Sequence, residues 1–224
     1  MNLALKPVER PLALGEQVYH SLRALLRSGQ IEHGRPLQEV QLAEHLGVSR
    51  TPVRQAMTRL ASEGMLVSDG RSFVVPRLAR HDVDEIYEVR FLIEPAAIRS
   101  VAAVSADPAV RAPLDAALAA AAAAHRAGDA PAFGEAHQRF RAAWLALVPN
   151  RRLVRAVEQY ADHMQHIRAL TLGKPPVRAI VLDGYRRVAA ALAAGDGAAA
   201  AEAMTATLAE AKRAFVDAME LAES

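Results

Sequence analysis

The stretch LGVSRTPVRQAMTRL, residues 46–60, restricts the possible folds of this chain more than any other part of the sequence. Gly47 gives the permissive backbone that a sharp bend between two helices needs. Ser49 stands at an N-cap position, where its hydroxyl can accept a hydrogen bond from a free amide, and Pro52 lies early enough that its missing N–H costs little. The apolar residues that follow recur at helical spacing: Val53, Ala56, Met57 and Leu60. The stretch therefore predicts a tight turn that leads into an amphipathic helix.

The polar face of this predicted helix carries hydrogen-bonding side chains at its N-terminal end, namely Arg50, Thr51, Arg54 and Gln55. A recognition helix inserts that end into the DNA major groove, where arginine can donate two parallel hydrogen bonds to guanine O6 and N7. The alternative is an ordinary surface helix with solvated arginines. The preceding segment, LQEVQLAEHLGVSR, favours DNA binding because its apolar residues form a helical stripe that ends at the turn glycine: Leu37, Val40, Leu42, Ala43 and Leu46. Together the two segments predict a helix-turn-helix.

A hairpin is predicted directly after the second helix. The segment GMLVSDGRSFVV contains two short β-rich runs on either side of Asp69-Gly70, and Asp-Gly between apolar runs is a strong hairpin signal. A hairpin in this position is typical of the wing of a winged helix, although an ordinary surface hairpin is the alternative. We expect the tip, Gly70 and Arg71, to approach the DNA backbone or the minor groove. With Ser49, these two residues complete the predicted DNA-binding set.

The composition is consistent with a DNA-binding protein of the cytoplasm. Residues 1–77 hold ten Lys and Arg against seven Asp and Glu, whereas the remainder holds seventeen against eighteen, so the excess positive charge lies in the N-terminal part. The sequence has no cysteine and hence no disulfide. No apolar run reaches the ~18 residues that a membrane helix needs, and the start of the sequence lacks a secretory pattern. We therefore expect no membrane partner.

The order of the patterns predicts a mainly α-helical chain of two domains. Residues 1–76 form the winged helix-turn-helix with its small β-hairpin wing, residues 77–81 form a linker, and residues 82–224 form an antiparallel α-helical bundle of six or seven helices. The first domain starts with a loose arm, followed by an amphipathic helix over 14–29. The predicted bundle helices are 82–104, 107–128, 131–148, 151–172, 177–194 and 196 onward. Pro95 lies inside the first of them, where we expect a kink or a break.

Two segments resemble a known family. LAEHLGVSRTPVRQAM is similar to the helix-turn-helix signature of GntR-type transcription regulators. DVDEIYEVRFLIEPAA, residues 82–97, is similar to the opening of the helical effector domain, the FCD domain, of the FadR branch. The resemblance implies a homodimer that binds a short palindromic operator on double-stranded DNA. It also implies a small organic acid that binds in the helical bundle and lifts repression.

In many members of that branch the bundle holds a metal through one aspartate and three histidines. The resemblance places these ligand positions on His137, Arg141, Tyr185 and Thr207, and it directs Arg90 into the same cavity. Arginine cannot ligate a metal because it stays protonated, and its charge repels a divalent cation. We therefore predict that the chain binds no metal and no other cofactor. The effector is predicted to bind to these five residues instead, with Arg141 gripping its carboxylate. Because a buried arginine without a partner is costly, we expect buffer anions or a carboxylate such as Glu94 near Arg141 in the empty protein.

Simpler interpretations of these residues stay open. Arg90 and Glu94 are four residues apart and could form a solvated pair on a helix surface, and Tyr185 could be an ordinary core residue. The cavity could also be vestigial in a dimer that binds DNA without an effector. A displaced metal site is a further alternative, with the candidate ligands Asp162, His163, His166 and His137.

The sequence gives no support to an enzyme. Some GntR relatives carry an aminotransferase-like domain, which needs a much longer chain with strands and a cofactor lysine. Beyond the linker this sequence has only Lys174 and Lys212. It also lacks a glycine-rich phosphate loop, a serine nucleophile elbow and an HExxH helix. We therefore expect a regulator.

Overall fold

The chain forms two compact units, Met1–Arg77 and Leu78–Ser224. The structure is a computed structural model and describes residues 14–27, 31, 34–68, 70, 72–76, 79–163 and 171–220, with the side chains of 162, 163 and 220 outside the description. The predicted N-terminal arm and the wing residue Arg71 lie outside the described residues, as does His166.

The first unit contains the predicted helix-turn-helix and its wing. Its elements are α1 (Leu14–Arg27), β1 (Pro36–Leu37), α2 (Glu39–Leu46), α3 (Arg50–Ser62), β2 (Val67–Ser68) and β3 (Phe73–Val74). Gly47 ends α2 with φ 63° and ψ 34°, a left-handed conformation that glycine adopts without steric cost. The predicted stripe of α3 is buried and packs against Val18 and Leu22 of α1. The turn and both helices of the motif are therefore confirmed.

The predicted apolar stripe of α2 is partly correct, since Leu37 and Leu42 pack half-buried against the core of the first unit. Ala43 is buried, but Val40 is 47% exposed and Leu46 is 37% exposed. Both residues lie three positions from Ala43. Three positions of an α-helix fall about 60° short of a full turn, so both side chains point about 60° away from the buried side chain of Ala43. Leu37 lies outside the helix, in β1. The short helix thus contacts α3 along a narrower face than the sequence pattern indicates.

The wing belongs to a three-stranded antiparallel sheet with the strand order β1-β3-β2. Val67 pairs with Val74 and Ser68 with Phe73, which confirms the predicted hairpin. The edge strand β1 was not predicted, because two residues beginning with proline resemble a connector. Proline is tolerated there since an edge strand does not need every N–H for pairing.

The second unit is an all-helical bundle. Its described helices are α4 (Arg80–Ser105), α5 (Pro108–Ala127), α6 (Ala130–Leu147), α7 (Arg151–His163), α8 (Pro175–Ala193) and α9 (Gly197–Glu220). Helix α4 begins two residues before the predicted start at Asp82, because the Asp82 carboxylate accepts a hydrogen bond from Ala79 N at 2.7 Å. The predicted break at Pro95 is wrong. Pro95 removes one backbone hydrogen bond, but α4 stays continuous there because it packs against α9.

Large apolar side chains fill the bundle between its helices. Helix α4 packs against α9, α5 against α6, and α8 against α9. Phe133, Phe140 and Trp144 of α6 are buried in this core, together with Ile98 of α4 and Leu192 of α8. In the described part of the chain, no helix is both long and apolar enough to cross a membrane.

Candidate functional site

The predicted DNA-binding side chains of α3 share one exposed face. Arg50, Thr51, Arg54 and Gln55 are all exposed, on the side opposite the buried stripe. Ser49 occupies the N-cap position in extended conformation, but its hydroxyl makes no capping hydrogen bond. The hydroxyl is therefore available to an outside acceptor such as a phosphate oxygen.

Glu39, in the first turn of α2, engages both arginines of this face. Arg50 Nη2 lies 3.3 Å from Glu39 Oε2, and Arg54 Nε lies 3.7 Å from Glu39 Oε1. We call these three residues the Glu39 cluster. The arginine side chains are 66% and 72% exposed, and exposed ion pairs contribute little to stability. Glu39 therefore holds both guanidinium groups near the predicted DNA-binding face without fixing them there.

Two other predicted residues of this interface have local structural contacts. An added methyl group on Gly15 of α1 would lie 3.5 Å from Gln55 Oε1, so this amide oxygen lies against α1. Gly70 has φ 85°, and its N–H donates to Ser68 Oγ at 3.1 Å. This left-handed conformation explains why glycine stands at the wing tip.

A cavity of about 70 Å³ lies inside the bundle. Helices α4, α6, α8 and α9 contribute its described lining, together with Thr171 and Leu172. All five residues predicted to bind an effector line this cavity: Arg90, His137, Arg141, Tyr185 and Thr207. Predicted site residues from four different helices of the second unit therefore converge on one cavity.

Glu94 links the two arginines of the cavity. Arg90 Nε donates to Glu94 Oε1 at 2.6 Å, and Arg141 Nη1 donates to Glu94 Oε2 at 3.1 Å. We call these three residues the Glu94 cluster. Glu94 is fully buried, and the side chains of Arg90 and Arg141 are 4% and 11% exposed. The alternative of a solvated surface pair for Arg90 and Glu94 is therefore wrong.

The Glu94 cluster leaves part of each guanidinium group without a hydrogen bond. Arg90 Nη1 and Arg141 Nη2 are buried and have no acceptor among the residues that the structure describes. The Arg90 guanidinium also lies over the Tyr87 ring, 4.6 Å from its centre, and the Arg141 guanidinium lies 5.9 Å from the Trp144 ring. Aromatic faces stabilise the charge but accept no strong hydrogen bond, so these two buried nitrogens stay without an acceptor in the described part of the chain.

Glu94 is ionised in the folded protein. Burial alone would raise the pKa of this carboxyl group, but the positive charges of Arg90 and Arg141 and their hydrogen bonds lower it to about 2. For Arg90, burial opposes the charge, and the negative charge of Glu94 raises the pKa above its ordinary value nonetheless. The cluster therefore carries two positive charges and one negative charge at neutral pH.

An aromatic and histidine pair forms another wall of the cavity. The Tyr185 hydroxyl is hydrogen-bonded to His137 Nδ1, and the Tyr185 ring stacks on Phe140 with the ring centres 4.0 Å apart. Thr207 Oγ1 donates to the carbonyl of Ala203 at 2.7 Å, so towards the cavity it can only accept. Tyr185 is thus both a core residue and a lining residue.

Two side chains near these sites were missed in the sequence. Trp144 follows Arg141 by three residues on α6, and this spacing on a helix could have indicated the contact. Glu39 lies eleven positions before Arg50 on a different helix, so no periodic pattern connects the two.

The donor set does not fit the metal that the resemblance implies for such a bundle. Of the four ligand positions, His137 alone holds a good metal ligand, and Arg141 directs a permanent positive charge toward the same space. Within the described ranges, no group of three or more His, Cys, Asp or Glu could hold a metal ion. The displaced site remains a prediction, since the side chain of His163 and all of His166 lie outside those ranges.

Known proteins resemble both units. Residues 14–75 match the family model described as bacterial regulatory proteins, gntR family, and residues 85–210 match the FCD domain. The putative L-lactate dehydrogenase operon regulatory protein of Escherichia coli strain K12 is 30% identical over 223 residues, which cover 88% of this chain and 84% of that protein. The uncharacterized HTH-type transcriptional regulator YdhC of Bacillus subtilis strain 168 is 37% identical over 95 residues. That match spans less than half of either protein, 42% of each.

A solved structure extends the similarity to the whole fold. The structure of E. coli McbR/YncC has a TM-score of 0.79 and 27% sequence identity to this chain, and the match covers 96% of this chain and 100% of the other. The FCD match alone extends over more than half of the sequence. The chain therefore belongs to the gntR family of bacterial regulatory proteins, which are DNA-binding transcription regulators rather than enzymes, and its second unit is an FCD domain.

Proposed function

We propose that the protein is a homodimeric cytoplasmic repressor that binds a short palindromic operator and releases it when a small carboxylate binds in the bundle. One observation supports the effector pocket above all. Arg90 Nη1 and Arg141 Nη2 are buried beside the cavity, with no acceptor in the described part of the chain. Buried charged donors are costly unless their hydrogen bonds are accepted, and a carboxylate accepts them in strong, charge-assisted bonds.

The proposed DNA interface is the exposed face of α3 together with the wing. Arg50 and Arg54 contact bases or the adjacent phosphates, which is supported by their exposure at the start of the helix. Positioning contacts to the backbone come from Ser49, Thr51, Gln55, Gly70 and Arg71. A dimer places two such helices in successive major grooves about 34–36 Å apart, so the operator is expected to be palindromic.

The proposed link between pocket and DNA is helix α4. It carries Arg90 and Glu94, while Arg141 lies on α6, so an anion that contacts both arginines joins the two helices. Helix α4 begins at Arg80, a few residues after the winged-helix unit ends in the chain. A ligand that stabilises one placement of α4 over another shifts the population of DNA-binding dimers by that difference in affinity.

The test is the variant Arg141→Met, which keeps much of the volume and removes the charge. An operator is first selected from random duplex DNA, and an effector is identified from short organic acids by its shift of the melting temperature. Arg141→Met should bind the operator like the wild type but should not release it with the effector. Arg139→Met is the matched control, because Arg139 is an exposed residue of the same helix. Release by Arg141→Met at the wild-type effector concentration would contradict the proposal.

Two further measurements separate the alternatives. If no short acid raises the melting temperature, the dimer acts without an effector and the pocket is vestigial. Elemental analysis of untagged protein, purified without chelator, should find no stoichiometric zinc, manganese or nickel. One metal ion per chain would instead support the site at His137, His163 and His166.

A further inference from the structure

The charges that line the cavity can be counted. Among its described lining residues, the permanently charged or ionised groups are the guanidinium groups of Arg90 and Arg141 and the carboxylate of Glu94. With His137 neutral, these described lining groups have one net positive charge. A ligand with one negative charge neutralises it, whereas a ligand with two leaves an excess negative charge in a buried space.

The hydrogen bonds of Glu94 hold its negative charge beside the two arginines that a ligand would contact. Each oxygen of Glu94 accepts from one arginine, at 2.6 Å and 3.1 Å, and Arg90 Nη1 and Arg141 Nη2 have no acceptor among the described residues. An anion that accepts hydrogen bonds from both atoms has the same two counter-ions as Glu94, the guanidinium groups of Arg90 and Arg141. Because Glu94 is fully buried, water does not screen its repulsion of a second negative charge.

We propose that Glu94 determines the ligand's charge, so that the pocket accepts short monocarboxylates and rejects dicarboxylates of similar size. This inference rests on the effector pocket proposed above and adds the residue that selects among acids. The size of the cavity sets the second limit. At ~10–15 Å³ per water-sized probe, its volume of about 70 Å³ holds roughly five waters, which corresponds to a short acid.

The probes are malonamate and malonate, which have the same shape and differ by one negative charge. Binding to the full-length protein is measured by calorimetry at about pH 8, where an ordinary histidine, with a pKa of ~6.5, is neutral. The wild type should bind malonamate at least ~10-fold more tightly than malonate, because like charges across a buried interface disfavour the wrong partner. Glu94→Gln raises the net charge by one and should reverse this order.

Three more variants test the charge count. Arg141→Met leaves no net charge and should bind neither anion measurably. The double variant Glu94→Gln/Arg141→Met restores one positive charge and should bind malonamate again. Glu88→Gln is the matched control, because Glu88 is an exposed carboxylate on the same helix as Glu94. It should keep the wild-type preference.

Each failure has a different meaning. A wild type that binds malonate as tightly as malonamate overturns the role of Glu94 but leaves a carboxylate pocket in place. The same holds if folded Glu94→Gln keeps the wild-type order, or if the double variant fails to regain malonamate. If neither anion binds to the wild type, this inference is overturned, and the proposed effector pocket is overturned with it when no other short acid raises the melting temperature. Circular dichroism establishes folding of each variant, and the wild-type preference decides the inference even where a variant does not fold.

Discussion

The two units contain the same trio of side chains in opposite surroundings. In the Glu39 cluster a carboxylate lies between two arginines that are 66% and 72% exposed. In the Glu94 cluster a carboxylate lies between two arginines that are 4% and 11% exposed. Water solvates the first trio, so its partners can separate at little cost. In the second trio, separation leaves a buried charge without a partner. Burial, rather than residue type, therefore decides what each trio can do.

This difference suits the two proposed tasks. Arginines that bind DNA have to leave their partner when a phosphate or base arrives, and the exposed Glu39 cluster permits this. Arginines that hold a ligand inside a domain keep their partner while a second anion joins them. The Glu94 cluster retains two donors for that purpose.

The largest expected effect is on stability, from Glu94→Gln. Removing one partner of a buried ion pair typically costs about 3–5 kcal/mol, since the remaining charges lose their counter-ion. Urea unfolding followed through the single Trp144 measures the loss in the bundle. Glu39→Gln, at the exposed cluster, should change stability by less than ~0.5 kcal/mol. Equal losses in the two variants would contradict the comparison.

Low pH should remove part of the free energy of unfolding that Glu94 contributes. The pKa of Glu94 is about 2 in the folded protein and 4.5 for the free group, so folding favours its ionised form. That contribution is fully present above about pH 4.5 and is lost as the pH falls towards about 2. The urea midpoint of the bundle should therefore fall between about pH 4.5 and pH 2, and less so in Glu94→Gln. A fall of the same size in both proteins would exclude Glu94 as its source.

A smaller effect is expected on operator binding from Arg54→Ala. An arginine that contacts a guanine contributes about 1–3 kcal/mol, and its loss also relaxes the sequence preference. Arg59→Ala is the control on the same helix, because Arg59 pairs with Glu16 and Glu63 instead. It should keep the sequence preference. Wild-type operator affinity of Arg54→Ala at physiological salt would show that α3 does not read the DNA as proposed.

The smallest effect should come from Glu39→Gln in DNA binding. Its removal frees Arg50 and Arg54 from a competing anion, so binding should tighten by less than ~1 kcal/mol, the usual size of an exposed pair. The gain should be similar for operator and random DNA, because phosphates attract the freed charges equally. Filter binding at several salt concentrations measures both. A loss of affinity would mean that Glu39 positions the arginines for binding rather than competing for them.

The local features of the DNA-binding unit could be predicted because each depends on neighbouring residues. The turn at Gly47, the buried stripe of α3 and the hairpin all follow from spacing within a few positions. The contact of Glu39 with Arg50 could not be predicted in this way, since it crosses the turn between two helices. Strand β1 was missed because pairing with β3, and not the preference of Pro36 or Leu37, makes it a strand.

For the pocket, the sequence and the family resemblance predict the lining residues and a carboxylate such as Glu94 near Arg141, but they do not predict that Arg90 and Glu94 are buried together. The spacing of Arg90 and Glu94 places them on one face of a helix, and it fits a buried pair and a solvated pair equally well. Arg141, on another helix, decides between the two by packing against Glu94. Such long-range contacts depend on how the helices pack, which residue spacing does not encode.

The ion pair between Arg141 and Glu94 also limits which single substitutions the pocket can accept. A return to the metal chemistry that the resemblance implies would need histidine in place of Arg141, together with changes at Tyr185 and Thr207. The first of these substitutions alone would leave Glu94 with one arginine and the cavity without net charge. Under the proposed charge count, a protein with that single change would bind neither a metal nor an acid. A change in the acid that is bound therefore needs fewer simultaneous substitutions than a return to a metal.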